Sequence, residues 1–191
     1  MINEAIKFAS LAHMGMRRKG NDQPYIFHPL EVLNLVSMMT LDEEVLCAAI
    51  LHDTVEDTDA TIEDIRKNFN ERVASLVGYE SEDKRGNVNK AATWKKRKEE
   101  TIERISSLDD EGAKMICLAD KVSNLRSIHL GLLDKGEEFW QSFNQKDPKE
   151  HYWYYSKLRD ALVSLKDHAV YKEFCFLIDT IFKNMGEKNE E

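Results

Sequence analysis

The sequence contains few of the residues that interrupt helices. Its 191 residues include only three prolines and eight glycines, while glutamate, lysine, leucine and alanine, all good helix formers, dominate. An all-α fold is therefore favoured over strand-rich alternatives. No internal repeat or low-complexity linker divides the chain, so we expect one domain over residues 1–191.

Other scarcities exclude whole classes of protein. Cys47, Cys117 and Cys175 are odd in number, widely spaced and set in apolar sequence, which indicates reduced core thiols rather than a disulfide framework or a cysteine-rich zinc site. No apolar run approaches the length of a membrane span, and the amino terminus lacks the apolar core of a signal peptide. We therefore expect a cytoplasmic protein without a membrane partner.

The net charge also limits the partners of this chain. A formal charge of −8 disfavours nonspecific nucleic-acid binding, because that binding needs a broad positive potential. We expect no nucleic-acid partner. Local basic patches remain compatible with this charge.

The chemistry is concentrated in residues 48–59, where an apolar run changes abruptly into one histidine and four carboxylates. Such carboxylates next to a hydrophobic helix need a counter-ion, which a divalent metal can supply. His52 and Asp53 offer the mixed nitrogen and oxygen ligands that suit manganese, iron, nickel or zinc better than calcium. If the helix continues, Glu56 and Asp57 lie one turn away as spare carboxylates.

A simpler interpretation of this stretch is that His52 caps a helix end and the acids form a solvated turn. Two distant residues shift the balance toward a metal. His28 precedes Pro29, which we expect at the first position of a helix over residues 30–39, with His28 extended at the helix entrance. Asp120 lies in the apolar stripe of a predicted helix from Glu111 to about residue 130, where an acid needs a partner.

Each of these residues also has an ordinary alternative role. His28 can be a satisfied surface histidine, and Asp120 can pair with a neighbouring Lys or Arg. Asn124 follows Asp120 by four residues, so both side chains lie on one helix face. A third histidine, His13, is slightly more consistent with a core or capping role than with a substrate contact.

A basic loop precedes His28 and can bind phosphate. Arg18 offers bidentate contacts and Lys19 a point charge, although an ordinary solvated loop has the same composition. Residues 79–93 are polar and irregular and can cover a site. The carboxy-terminal third is rich in aromatic residues, of which one or two can line a base-binding pocket.

Taken together, these motifs follow a known order. Residues 18–20 (RKG) and 24–30 (PYIFHPL) are followed by residues 51–58 (LHDTVEDT) and 118–125 (LADKVSNL). This pattern resembles the HD-domain metal-dependent phosphohydrolases, and more narrowly the hydrolase domain of the RelA/SpoT alarmone family. At this length the chain is most similar to the stand-alone small alarmone hydrolases of the metazoan SpoT homologue type. The resemblance covers roughly the first two-thirds of the chain, and Ser123 replaces a residue that is often larger in the longer members.

The resemblance implies a fold, a cofactor and residue roles. The fold would be an all-α HD-domain helical bundle around a single metal site. One manganese ion, or another divalent metal, would be bound by His28, His52, Asp53 and Asp120. Glu56 and Asp57 would be the catalytic acids, while the substrate would be contacted by Arg18, Lys19 and Asn124.

The implied reaction is hydrolysis of the 3′-pyrophosphate of guanosine 3′,5′-bis(diphosphate), ppGpp or pppGpp, giving GDP or GTP and pyrophosphate. Two alternatives stay open. The protein can be an HD-type phosphatase acting on another nucleotide or on a phosphorylated dinucleotide cofactor, or a nucleotide sensor without turnover. The complete Glu56-Asp57 pair argues against the sensor, because a binder needs no carboxylate that activates water.

Overall fold

The computed structural model describes residues 1–18, 22–80 and 93–183 of the chain. Within these ranges it contains α-helices, two short 3-10 helices and no strand, which confirms the all-α prediction. The α-helices are α1 (Ile2–Ala12), α2 (Phe27–Ser37), α3 (Glu43–Leu51), α4 (Thr54–Asp57), α5 (Ile62–Asn68), α6 (Glu71–Glu80), α7 (Trp94–Ser106), α8 (Glu111–Lys135), α9 (Pro148–Ala161) and α10 (Ala169–Ile181).

Helix α3 lies at the centre of the molecule. Its residues 45–51 are all buried, and α1, α2, α6 and α8 pack around it. Asp42 caps the start of the helix, because its side chain accepts hydrogen bonds from the backbone N–H groups of Glu44 and Val45. A helix that is apolar on every side can only be stable in such a position.

Helix α8 is the longest element and crosses the same core. Asp110 caps its start by accepting a hydrogen bond from the N–H of Ala113, and the helix packs against α2, α3, α6 and α10. The predicted helix from Glu111 is thus confirmed, and it continues to Lys135. This length places Asp120 and Asn124 in the middle of α8, over the core.

Helix α2 begins earlier than predicted. We expected Pro29 at the first helical position with His28 extended before it, but α2 already begins at Phe27, so His28 is itself helical. The physical reason is that backbone N–H groups in the first helical turn have no intrahelical acceptor. Proline therefore fits at the third position as well as at the first.

A short break in the helical structure separates α3 from α4, while the chain itself is continuous. Helix α3 ends at Leu51, and α4 is a single turn that begins at Thr54, so the helix does not continue unbroken through the acidic residues. The buried hydroxyl of Thr54 donates to the carbonyl oxygen of Leu51 at 2.6 Å, which satisfies one of the carbonyl groups left at the end of α3. His52 and Asp53 occupy this break.

Helices α7, α9 and α10 complete the fold. Helix α7 packs against α9, and α10 packs against α8 and α9.

Of the irregular stretch 79–93, Tyr79 and Glu80 belong to the end of α6 and Thr93 precedes α7, while residues 81–92 lie outside the described residues. Among the helices that the structure describes, none combines the length and apolarity required to span a membrane.

Candidate metal centre and substrate site

Four side chains from three parts of the fold meet at one point. His28 comes from α2, His52 and Asp53 from the break after α3, and Asp120 from α8. The Nε2 atom of His28 lies 3.1 Å from Oδ1 of Asp120 and 3.4 Å from Oδ2 of Asp53. The Nε2 atom of His52 lies 3.2 Å from Oδ2 of Asp53 and 3.9 Å from Oδ1 of Asp120.

Three of these residues form a compact donor group by distance alone. The ligand atoms of His28, His52 and Asp120 all lie within 4.8 Å of one another, and all three residues are buried. Asp53 is slightly more exposed, but its Oδ2 atom faces both imidazoles. The geometry therefore brings the four predicted ligands together, while their role as ligands stays a prediction.

Hydrogen bonds on the far side of each ring determine which nitrogen faces this centre. The Nδ1 atom of His52 lies 2.9 Å from the carbonyl oxygen of Ala49, which can only accept, so Nδ1 carries the hydrogen. The Nδ1 atom of His28 lies 2.8 Å from Oγ of Ser123. Both rings thus direct Nε2 toward the two carboxylates.

This donor set fits a divalent metal. The Nε2 atom of His52 is buried and has no hydrogen-bond partner among the described residues. In the neutral tautomer its lone pair points at carboxylate oxygens, an arrangement that is repulsive unless a cation lies between them. Two imidazole nitrogens with two carboxylates match manganese, iron, nickel or zinc.

The ionisation of the cluster supports the same conclusion. Burial disfavours the charged form of His52, but Asp53 and Asp120 outweigh it and raise the pKa of His52 to about 9. Burial also opposes the charge on Asp53 and Asp120, yet nearby cationic groups, His52 beside Asp53 and Lys121 beside Asp120, hold the pKa of each carboxyl below its usual range. The centre is thus a place where positive charge is stabilised.

Tyr25 joins the cluster to a predicted catalytic acid. Its hydroxyl lies 2.6 Å from Oδ2 of Asp53 and 2.8 Å from Oδ2 of Asp57. Burial and these two carboxylates raise the pKa of Tyr25, so the hydroxyl keeps its hydrogen and donates. Tyr25 was not among the predicted site residues, although its place next to Pro24 in the motif before His28 is a signal that could have identified it.

The predicted substrate residues lie directly beside the centre. The side-chain amide of Asn124 donates to Oδ1 of Asp120 at 2.7 Å, and a guanidinium nitrogen of Arg18 donates to Oδ1 of Asn124 at 3.1 Å. Arg18 also lies over the ring of Tyr25, 5.9 Å from its centroid. Lys19, the other predicted phosphate contact, lies outside the described residues.

Helix α7 supplies a basic face that the sequence analysis did not connect to the site. Arg97, Thr101 and Arg104 share one helix face by their spacing, and with Lys98 they line the same cavity as the metal cluster. Nε of Arg104 is buried without a hydrogen-bond partner among the described residues. Only the three-dimensional packing of α7 shows that this face is turned toward Asp120.

Two adjoining cavities follow from this arrangement. The first, of about 230 Å³, contains the metal cluster together with Glu56, Asp57 and the basic residues of α7. The second, of about 410 Å³, shares Arg18 and Asn124 with the first and is lined by aromatic rings that include Phe143 and Tyr155. We call the second cavity the aromatic chamber; it adjoins the charged cavity that contains the metal cluster.

His13 lies behind the site rather than in it. Its ring is buried and stacks on Tyr25 with the ring centroids 4.8 Å apart. Burial lowers the pKa of His13, and neither ring nitrogen has a hydrogen-bond partner among the described residues. This position agrees with the core histidine that we favoured over a substrate contact.

A family model described as HD domain matches residues 5–138, and the chain belongs to the HD-domain family. The chain is 38% identical over 130 residues to guanosine-3′,5′-bis(diphosphate) 3′-pyrophosphohydrolase MESH1 of Drosophila melanogaster, covering 66% of this chain and 69% of that protein. It is 35% identical over 129 residues to guanosine-3′,5′-bis(diphosphate) 3′-pyrophosphohydrolase of Aquifex aeolicus, covering 66% of this chain but only 18% of the relative.

Solved structures give the same result. A structure described as a metazoan orthologue of SpoT that hydrolyses ppGpp has a TM-score of 0.74 and 31% identity, covering 97% of this chain and 95% of that chain. A protein from Listeria monocytogenes EGD-e has a TM-score of 0.72 and 31% identity, covering 85% and 98%. The resemblance to HD-domain proteins of the SpoT type is thereby confirmed.

Proposed function

We propose that this protein is a manganese-dependent hydrolase that removes the 3′-pyrophosphate of ppGpp or pppGpp and releases pyrophosphate with GDP or GTP, respectively. The single observation that supports it most strongly is the convergence of His28, His52, Asp53 and Asp120, described above, next to a cavity that contains both acids and bases. The names of the Drosophila and Aquifex relatives support the choice of substrate.

His28, His52, Asp53 and Asp120 would bind the ion. When bound, a divalent ion of this kind activates water and polarises a phosphate oxygen. Manganese is our proposal among the metals that this mixed nitrogen and oxygen set admits. The chain provides the rest of the chemistry through its own residues.

Glu56 and Asp57 would orient the attacking water and accept its proton. Both line the cavity that contains the cluster, and the hydroxyl of Tyr25 orients Asp57 relative to Asp53. A carboxylate placed in this way can orient and deprotonate water as a general base. We propose Glu56 as the principal base, with Asp57 in a supporting role.

The basic residues would bind the phosphates. Arg18 lines the cavity together with Arg97, Lys98 and Arg104 of α7. Several cations around one cavity suit a substrate with diphosphates at two positions, and they also stabilise charge that develops on the transferred group. Lys19 would add a further cation.

The nucleoside would occupy the aromatic chamber. Arg18 and Asn124 lie at its junction with the metal cavity, and Tyr155 and Phe143 line its wall. A purine base buries a flat apolar surface against such rings while its sugar stays near polar groups. Asn124 would therefore contact the sugar or base.

The test is to identify the released phosphate. Purified protein is incubated with Mn²⁺ and either a 3′-diphosphorylated or a 3′-monophosphorylated guanosine nucleotide, and the products are separated by ion chromatography. We expect pyrophosphate from the first substrate and no turnover of the second. Orthophosphate as the main product would instead support a phosphatase, and tight binding without any product would support a sensor.

We also propose that the protein is cytoplasmic. Three free thiols, Cys47, Cys117 and Cys175, support this compartment, because disulfides are rare there. Burial raises the pKa of Cys47 to about 11, so this thiol is inert at neutral pH.

A further inference from the structure

A continuous set of polar contacts leads away from the metal centre through three helices. Nδ1 of His28 lies 2.8 Å from Oγ of Ser123, and that hydroxyl lies 2.6 Å from Oε2 of Glu31. Arg126 donates to the other oxygen of Glu31 at 2.8 Å and to both oxygens of Glu173 at 2.6 and 2.8 Å. We call these four residues, Ser123, Glu31, Arg126 and Glu173, the His28 support.

The direction of each hydrogen bond in the support is determined by chemistry. A carboxylate only accepts, so the one hydrogen of the Ser123 hydroxyl is donated to Glu31. The Ser123 oxygen is then left to accept, which favours the tautomer of His28 with its hydrogen on Nδ1. The support thereby keeps the Nε2 lone pair of His28 directed toward Asp53 and Asp120.

The members of the support differ in exposure. The side chains of Glu31, Arg126 and Glu173 are 34%, 34% and 33% exposed. Ser123 is only 1% exposed and His28 only 4%. The outer charges thus act on a buried hydrogen bond whose other end is the proposed metal ligand.

We propose that Ser123 and Glu31 are positioning residues that fix the tautomer and ring orientation of His28 for metal binding, with Arg126 and Glu173 holding Glu31 in place. This inference rests on the metal site of the proposed function but not on its substrate. It also gives a role to α10, which lies beyond the residues 5–138 that define the family match.

The substitution Glu31→Gln tests the proposal at nearly constant shape. Arg126 can only donate, so the oxygen of the introduced amide will face Arg126 and its N–H₂ group will face Ser123. The Ser123 hydroxyl then accepts from the amide, and its own hydrogen, no longer donated to a carboxylate, is available for Nδ1 of His28. That reversal favours the imidazole hydrogen on Nε2, the nitrogen that faces the metal.

The first measurement is the Mn²⁺ dissociation constant, determined by electron paramagnetic resonance without nucleotide. Loss of an outer partner of a metal ligand typically weakens binding by about 10- to 100-fold, and we expect this for Ser123→Ala and for Glu31→Gln. Glu173→Gln should have a smaller effect. Glu71→Gln, which breaks the exposed pair with Arg66, and Ser106→Ala, at an exposed serine of α7, are matched controls that should bind Mn²⁺ normally.

The second measurement is spectroscopic and needs no metal. Long-range ¹⁵N–¹H correlation spectra of the metal-free protein report how the hydrogen of a neutral His28 is divided between Nδ1 and Nε2. The carboxylates of Asp53 and Asp120 favour Nε2 and the support favours Nδ1, so the share on Nδ1 should be lower in Glu31→Gln than in the wild-type protein. The double variant Ser123→Ala/Glu31→Gln should bind Mn²⁺ no more weakly than the worse single variant, since both changes break the same contact.

The outcomes separate this inference from the hydrolase proposal. Normal Mn²⁺ affinity in folded Glu31→Gln, or an unchanged tautomer, would overturn the positioning role even if the wild-type protein hydrolyses the nucleotide. Conversely, weakened Mn²⁺ binding in the variants would support the role even if the wild-type protein released no pyrophosphate. Should Ser123→Ala fail to fold, Glu31→Gln decides alone.

Discussion

The two halves of the proposed metal centre are held in different ways. His52 and Asp53 are adjacent in sequence, and the ring of His52 is fixed by the carbonyl oxygen of Ala49 in its own helix. His28 and Asp120 come from separate helices, and the ring of His28 is fixed by the side chain of Ser123. One half is therefore local and based on the backbone, while the other depends on long-range side-chain contacts.

This difference determines how each half responds to change. A backbone carbonyl cannot be removed by a substitution, so the orientation of His52 is robust as long as α3 folds. The orientation of His28 depends on four side chains, any one of which can be replaced. We therefore expect the local half to fail only when a ligand itself is lost.

The largest effect should come from such a loss in the local half. Asp53→Ala removes the carboxylate that faces both imidazoles, and Mn²⁺ binding and turnover should disappear together, beyond the roughly 100-fold cost typical of an outer partner. Equilibrium dialysis with Mn²⁺ and the pyrophosphate assay measure the two effects. Asp59→Ala, an exposed acid of the same segment, is the control, and parental activity in Asp53→Ala would refute the assignment.

The next largest effect should separate chemistry from metal binding. Glu56→Gln keeps the size of the side chain but removes its basicity, so kcat should fall by about 10²- to 10⁴-fold while the Mn²⁺ dissociation constant is unchanged. Steady-state kinetics beside the same dialysis measure both quantities. If Glu56→Gln failed to bind Mn²⁺, Glu56 would itself be a ligand and would belong to the local half of the centre.

A smaller effect is expected where the substrate is contacted. Arg18→Lys keeps the charge but loses the planar fork, and KM should rise by roughly 10- to 100-fold, since a charge-assisted hydrogen bond contributes about 1.5–3 kcal/mol. The kcat should stay nearly constant, because lysine keeps the charge that stabilises the transferred group, while the lost hydrogen bond is made in both ground and transition states. A fall in kcat at constant KM would instead place Arg18 in the transition state.

The smallest effect concerns pH and the metal-free protein. The folded pKa of His52, about 9, lies above the unfolded value of about 6.5. Its contribution to stability is fully present below pH 6.5 and is lost as the pH rises through 9. Thermal unfolding should therefore show a midpoint that falls over this range without metal, and His52→Gln should remove that fall.

The same contrast explains what the sequence could predict. His52 and Asp53 were recognisable as candidate ligands because an apolar run ends in adjacent residues of ligand type, and Asp120 because an acid interrupts an apolar helical stripe. The helical class followed from composition. These signals all lie within one or two helical turns.

The missed features depend on distant contacts. Tyr25 meets Asp57 across 32 positions of the chain, and Ser123 meets Glu31 across 92, so no local pattern marks either pair. The basic face of α7 has a regular spacing, but only packing turns it toward the site. The start of α2 was misplaced because proline is compatible with more than one position of a first helical turn.

The most direct test of the four-residue centre is pyrophosphate release measured against bound Mn²⁺. Metal-free protein is titrated with the ion in the presence of guanosine 3′,5′-bis(diphosphate), and the initial rate of pyrophosphate release is followed. We predict no release without the ion and a rate that reaches its maximum at one Mn²⁺ per chain. Pyrophosphate release by chelator-treated protein, or a maximum that requires two ions, would contradict the single centre formed by His28, His52, Asp53 and Asp120.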